Sequence, residues 1–213
     1  MEDRSNGRFR DVVRSTEELR EIVGEIYPGA VTKVIDHLDE FCAGFISHAP
    51  FFVIGSGGGD RDVDVSPKGD PAGFVRVLDE KTLAIPDRPG NARMDTFMNV
   101  LANPKVSLIF LVPGRKDTLR VIGTAQIVRD ANLRQSMAER GKVPDFAMVV
   151  HVERAFFHCA KCMVRSSLWE PKGWPDRSGM PSLGAALVSH SKSRTPAEEV
   201  DAYLEEDERE GLY

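Results

Sequence analysis

Apolar residues recur along this chain in two rhythms. Leu19, Ile22, Val23 and Ile26 share one helical face, and Ser15-Thr16-Glu17-Glu18 in front of them reads as a capping box. Pro28-Gly29 breaks this helix. A second helical pattern runs through Val31, Val34, Ile35, Leu38, Phe41 or Cys42, Phe45 and Ile46, and the two helices are expected to form one N-terminal lobe. The rhythm then shortens. Residues 51–56 (FFVIGS) form an apolar run that ends in Gly57-Gly58-Gly59. Residues 73–79 alternate, and residues 82–87 follow after a turn at Asp79-Glu80-Lys81, which predicts an antiparallel hairpin. Residues 105–113 (KVSLIFLVP) are apolar on both faces, as in a strand buried on both sides. A turn at 114–117 leads into 118–128, where Gly123 predicts a bulge or the close approach of another backbone or a ligand. Asp130 caps a short helix to about Gly141, residues 146–158 form another strand, and residues 160–169 turn helical.

The sum is five to seven strands in consecutive hairpins, with one helix, 92–103, between neighbours. Parallel sheets need regular crossover helices, so the pattern suits a small antiparallel barrel better. The expected class is mainly β with helices (α+β), a Greek-key-like antiparallel barrel. Its expected layout is a single domain, with N-terminal helices at 1–49, the barrel at 50–169 and a C-terminal arm with an acidic helix at 170–213. Residues 171–196, rich in Pro, Gly and Ser, read as an irregular arm, and the acidic run after them as a solvated helix.

Charge narrows the partners. The net charge is −5, but residues 195–213 hold eight acids and one arginine, so the remaining chain is near +2. A body so close to neutral lacks the basic surface nucleic acid requires. No apolar run is long enough to cross a bilayer, and the N-terminus has no apolar core of a secretory signal. Three cysteines, an odd number, argue for a reducing cytoplasm rather than a disulfide framework.

The most unusual stretch is IPDRPGNARMDTFMNVLAN, residues 85–103. Met94, Phe97, Met98 and Leu101 share one helical face, which predicts its burial. Asn91 is the expected N-cap, and Gly90 permits the sharp turn before it. That places Arg93 in the first turn, against the positive end of the helix dipole, with Arg88 just upstream. An anion between them relieves the repulsion, and a phosphate would take both amide and guanidinium hydrogen bonds. The alternative is that Arg93 pairs with Asp95 or Asp87 on the surface.

Residues 64–127 closely resemble the pyridoxamine 5′-phosphate oxidase-like, FMN-binding split-barrel flavoproteins. The resemblance rests on Ser66-Pro67-Lys68-Gly69-Asp70, Pro86-Asp87-Arg88-Pro89-Gly90-Asn91-Ala92-Arg93, Pro113-Gly114 followed by Thr118-Leu119-Arg120-Val121, and then His158-Cys159-Ala160-Lys161 and Arg165-Ser166-Ser167-Leu168-Trp169. The ending Leu212-Tyr213 is similar as well. The resemblance implies an FMN-binding split barrel, a homodimer with FMN at the subunit interface, and a flavoprotein oxidoreductase acting on a small organic molecule. NAD(P)H is a candidate donor. It assigns the FMN phosphate to Arg88, Asn91 and Arg93, the ribityl chain or ring to Ser66 and Lys68 on a Ser-Pro-Lys-Gly turn, a second-subunit contact to Thr118 and Arg120, and closure of the site to Arg165 and Trp169. The Ser-Arg-Lys run and the Arg-x-His element of true pyridoxamine phosphate oxidases are absent, so that substrate does not carry over. The alternatives are a non-catalytic flavin store or sensor, and a split barrel using deazaflavin F420 or haem.

Cys159-x-x-Cys162 beside His158 invites a zinc reading, but a structural site wants four ligands and no second cysteine pair exists. Both are expected to be small buried residues. His37, His48 and His190 have no evident partners, and no carboxylate pair among Asp64, Asp70 and Asp95 stands out as an acid–base couple.

Overall fold

A computed structural model describes residues 8–58 and 63–213, so Gly59 of the glycine run lies outside the described residues. The chain divides into two units, Met1–Val34 and Ile35–Tyr213.

In the first unit, α1 (Thr16–Val23) begins as the capping box predicts: Ser15 Oγ accepts from the Glu18 amide at 3.1 Å. It stops at Gly24, whose φ of 81° is strained for residues with a Cβ. Pro28 opens the short α2 (Pro28–Thr32), at the first helical position, where its missing N–H costs nothing. The face of Leu19, Ile22 and Val23 is exposed.

The expected second helix is split. Ile35 exchanges backbone hydrogen bonds with Ala155 of the sheet, and Asp39 then caps a new helix, α3 (Glu40–His48), by accepting from the Cys42 amide at 2.8 Å. A chain committed to a strand bridge cannot continue helical hydrogen bonding, so the periodicity of 31–46 crosses a break it does not reveal. Cys42, Phe45 and Ile46 of α3 enter the barrel core, and burial pushes the Cys42 thiol up to about 12.

Among the described residues, seven antiparallel strands follow: β1 (Phe51–Gly57), β2 (Val63–Gly69), β3 (Arg76–Asp79), β4 (Thr82–Pro86), β5 (Lys105–Leu111), β6 (Thr118–Val128) and β7 (Ala147–His158). Their order is β2-β1-β5-β6-β7-β4-β3. This is the expected α+β split barrel: inward residues of β1, β4, β5, β6 and β7, among them Phe52, Ile54, Leu83, Leu108, Phe110, Val121 and Val150, meet in one cluster. Burying each such side chain contributes about 1.5–3 kcal/mol. The outward face of β5 is only half-buried at Ile109 and Leu111. At Gly123 the β6–β7 register shifts, so the predicted bulge is present.

Two further segments depart from the sequence reading. The Ser-Pro-Lys-Gly stretch is not a turn but part of β2, an edge strand, where a proline lacking its N–H is tolerated. The arm at 171–196 contains a 3₁₀ turn (Pro171–Gly173) and a full helix, α7 (Leu183–Ser191). The solvated helix is α8 (Ala197–Glu210), with no buried residue, and α7 packs on it through Gly184, whose amide donates to Asp201 at 2.7 Å. Two short helices complete the chain, α5 (Ala131–Ser136), capped by Asp130, and α6 (Lys161–Arg165). Among the described residues no helix is long and apolar enough to cross a membrane.

Candidate functional site

The helix in the diagnostic stretch, α4 (Asp95–Ala102), starts later than expected. Met94 is its N-cap, in the left-handed region at φ 57°, and Ala92 lies there too at 56°. Asn91 is therefore not the cap. Its Oδ1 instead accepts from the Arg93 amide at 3.1 Å, a local turn that draws the chain tight before the helix. Arg93 precedes the helix, and Asp95 fills the first turn, where an acid is favoured. Each non-glycine left-handed residue costs about 1–2 kcal/mol, strain of the kind that gathers at ligand sites.

The buried face of α4 is also corrected. Thr96, Asn99 and Val100 point inward, and Asn99 donates to Ser56 Oγ at 3.2 Å in a buried pair. Phe97 lies half-buried against Phe146. Met94, Met98 and Leu101 are 36%, 39% and 78% exposed. The buried hydrogen bond to β1 selects the polar face, because an unsatisfied Asn99 would lose more than a methionine left outside.

A cleft of about 660 Å³ opens between β2, the 87–97 segment and the 142–146 loop. It gathers five of the sequence-predicted residues: Ser66, Lys68, Arg88, Asn91 and Arg93. Strand alternation brings the first two together. Asp64, Ser66 and Lys68 alternate on the less exposed face of β2, while Val63, Val65 and Pro67 face outward. The two arginines differ in their restraint. Arg93 is 71% exposed, and its Nε donates to Asp95 at 2.7 Å, the surface pair named as the alternative above. Arg88 is 16% exposed; its Nε donates to Asp70, itself 2% exposed, at 2.5 Å, and its Nη2 to the Met137 carbonyl at 3.0 Å. Asp87 lines the same cleft, and burial pushes its carboxyl above the usual range against the opposing pull of Lys68.

The other four predicted residues lie outside this cleft. Thr118 is buried at the start of β6, and Arg120 stacks over Phe156 at 5.4 Å. Trp169 Nε1 donates to the Arg115 carbonyl at 2.7 Å, and Arg165 is exposed at the end of α6. Beside the start of β6 lies a second cavity of about 610 Å³, walled by Phe41, Phe45, Val112 and Phe157 with Arg115 and Asp117 among its lining. Cys159 and Cys162 are exposed, contrary to the expected burial, because they flank the start of a five-residue helix outside the core.

Sequence reasoning missed Lys142 and assigned Tyr213 no role, yet both line the main cleft. It weighed Asp70 only as a general base. The signal for Tyr213 was the similarity of the chain's ending alone.

The donor set suits a phosphorylated small molecule. Lys68, Arg88 and Arg93 supply cationic donors, Ser66 a hydroxyl, and the volume falls in the range of small-molecule sites, roughly 300–1,000 Å³. A family model described as pyridoxamine 5'-phosphate oxidase matches residues 38–159. No curated protein matches the chain in sequence. Among solved structures, HupZ of Group A Streptococcus is similar at 22% identity, covering 56% of this chain and 92% of that one, with a TM-score of 0.45. A NimC/NimA family protein of Clostridium acetobutylicum is similar at 18%, covering 57% and 88%, with a TM-score of 0.40. An FMN-binding protein of Syntrophomonas wolfei is similar at 13%, covering 66% and 92%, with a TM-score of 0.41.

Proposed function

The chain belongs to the pyridoxamine 5′-phosphate oxidase family, and from that premise we propose that it is a cytoplasmic FMN-dependent oxidoreductase acting on a small organic molecule. The observation that carries the reading is the convergence of Ser66, Lys68, Arg88, Asn91 and Arg93 on one cleft. FMN when bound supplies the hydride and electron transfer. The chain supplies binding and orientation: Arg88 and Arg93 hold the phosphate, with Asn91 shaping the loop between them, and Ser66 and Lys68 align the ribityl chain or ring from β2.

The chain acts as a homodimer, with Thr118 and Arg120 at the start of β6 facing the partner subunit's flavin and Arg165 and Trp169 closing the site from the C-terminal side. Two observations support this. Those four residues lie outside the cleft formed by their own chain. The exposed stripe of Met94, Met98 and Leu101, beside outward Val65 at the same cleft, is apolar surface of the kind that dimers cover.

The test is Arg93→Ala. Its ion pair with Asp95 is exposed and screened by solvent, so stability should barely change. FMN affinity should fall on the order of tenfold or more, since charge-assisted contacts contribute about 1.5–3 kcal/mol. An unchanged FMN dissociation constant in titration leaves Arg93 as a surface residue paired with Asp95 and removes it from the site.

A further inference from the structure

Tyr213 lies 143 positions from Asp70 in sequence, yet its side chain reaches the cleft. Its hydroxyl donates to Asp70 Oδ1 at 2.5 Å, while Oδ2 of the same carboxylate accepts from Arg88 Nε at 2.5 Å. The Arg88 guanidinium carbon lies 5.7 Å from the centre of the Tyr213 ring, and that of Arg140 lies 5.0 Å from it. The hydrogen bond to the Asp70 carboxylate pushes the phenol above the ordinary tyrosine range.

Three groups from three distant segments thus restrain one guanidinium: Asp70 after β2, the Met137 carbonyl after α5, and the Tyr213 ring beyond α8. Nη1 of Arg88 takes no part in the two hydrogen bonds. An unrestrained arginine has rotamer entropy that a ligand must otherwise overcome on binding. A tyrosine serving only as an apolar wall needs no hydroxyl on a buried carboxylate. Here the hydroxyl fixes Asp70, Asp70 fixes the plane of the guanidinium, and the ring packs near it.

We propose that Tyr213 is a positioning residue for phosphate recognition: through Asp70 and its own ring it sets Arg88 to receive the terminal phosphate monoester of a ligand in the cleft. The inference rests on the reading of this cleft as the FMN site. It adds a specificity element, discrimination between a phosphorylated flavin and its dephosphorylated form, and places that element partly on a residue far from the cleft in sequence.

The experiment compares FMN with riboflavin. Dissociation constants for both are measured by flavin fluorescence on the wild-type chain, Tyr213→Phe and Tyr213→Ala, with a thermal melt of each ligand-free variant to confirm folding. The wild type should prefer FMN. Tyr213→Phe should weaken FMN about two- to tenfold, the loss of one hydrogen bond, and leave riboflavin unchanged. Tyr213→Ala should weaken FMN further, and the preference for FMN should shrink in the same order. Equal weakening of both flavins would make Tyr213 a wall of the cleft and overturn the proposal. So would unchanged FMN affinity in the folded variants. A wild-type chain that binds neither flavin, or both equally, defeats the cleft reading itself and this proposal with it; the wild-type arm alone distinguishes that failure.

Discussion

Gly123→Ala is expected to destabilise the barrel by roughly 3 kcal/mol or more, the upper end of overpacking costs. A Cβ at this position would lie 2.0 Å from the His151 carbonyl oxygen and 2.9 Å from its carbon. Both atoms are backbone of β7, so no side chain can rotate away. Relief requires β6 and β7 to separate at the bulge between Ile122 and Gly123, and β6 is the central strand of the sheet. For a chain of this size the loss corresponds to a fall in Tm on the order of 10 °C. Gly90→Ala is the control: nothing lies within 4 Å of where its new methyl group would sit, and melting should barely change. If the Gly123→Ala chain melts with the wild type, the register across the bulge is different from the one described.

Arg88→Ala should carry the second large effect, and it should act twice. The Asp70–Arg88 pair is almost fully enclosed, with side-chain exposures of 2% and 16%. Removing one partner of a buried pair leaves the other charge without compensation, a loss of about 3–5 kcal/mol. Tyr213 still donates to Asp70, which places the expected loss at the lower end. The Met137 carbonyl loses its donor as well. In urea unfolding Arg88→Ala should therefore lose about 3 kcal/mol, where the exposed Arg93→Ala should barely change. In FMN titration both should weaken binding. Arg88→Lys keeps the charge but not the planar fork, and should recover only part of either property. An Arg88→Ala chain as stable as wild type would show that Asp70 is not enclosed by this arginine.

The strands with interior positions were the legible part of the fold. β6 is legible end to end because its inward residues alternate without interruption and its one irregularity is marked by a glycine. β2 is not legible: Asp64, Ser66 and Lys68 occupy the positions an alternating strand would give to apolar residues, and Pro67 argues against a ladder. Those polar residues face the cleft, so the chemistry that makes the strand functional also hides it. α4 was recognised, but its start and its buried side were not. No local signal announces left-handed Ala92 and Met94, and a buried Asn99 paired with Ser56 reverses the apolar rule. α7 has no periodic pattern because its sequence, LGAALVSHS, is nearly uniform in small and apolar residues until its end. In the site, Arg88 and Arg93 were legible from charge placement. Their difference was not, because the partner that restrains Arg88 is held in turn by Tyr213, a contact between residues that no local pattern can join.

The most direct measurement is the flavin content and FMN uptake of the purified chain. The protein should be yellow and release FMN on denaturation, or be colourless and take up added FMN stoichiometrically with a shifted flavin spectrum, and that uptake should weaken in Arg93→Ala. A colourless, folded chain that shows no saturable change on titration with FMN would contradict the central claim.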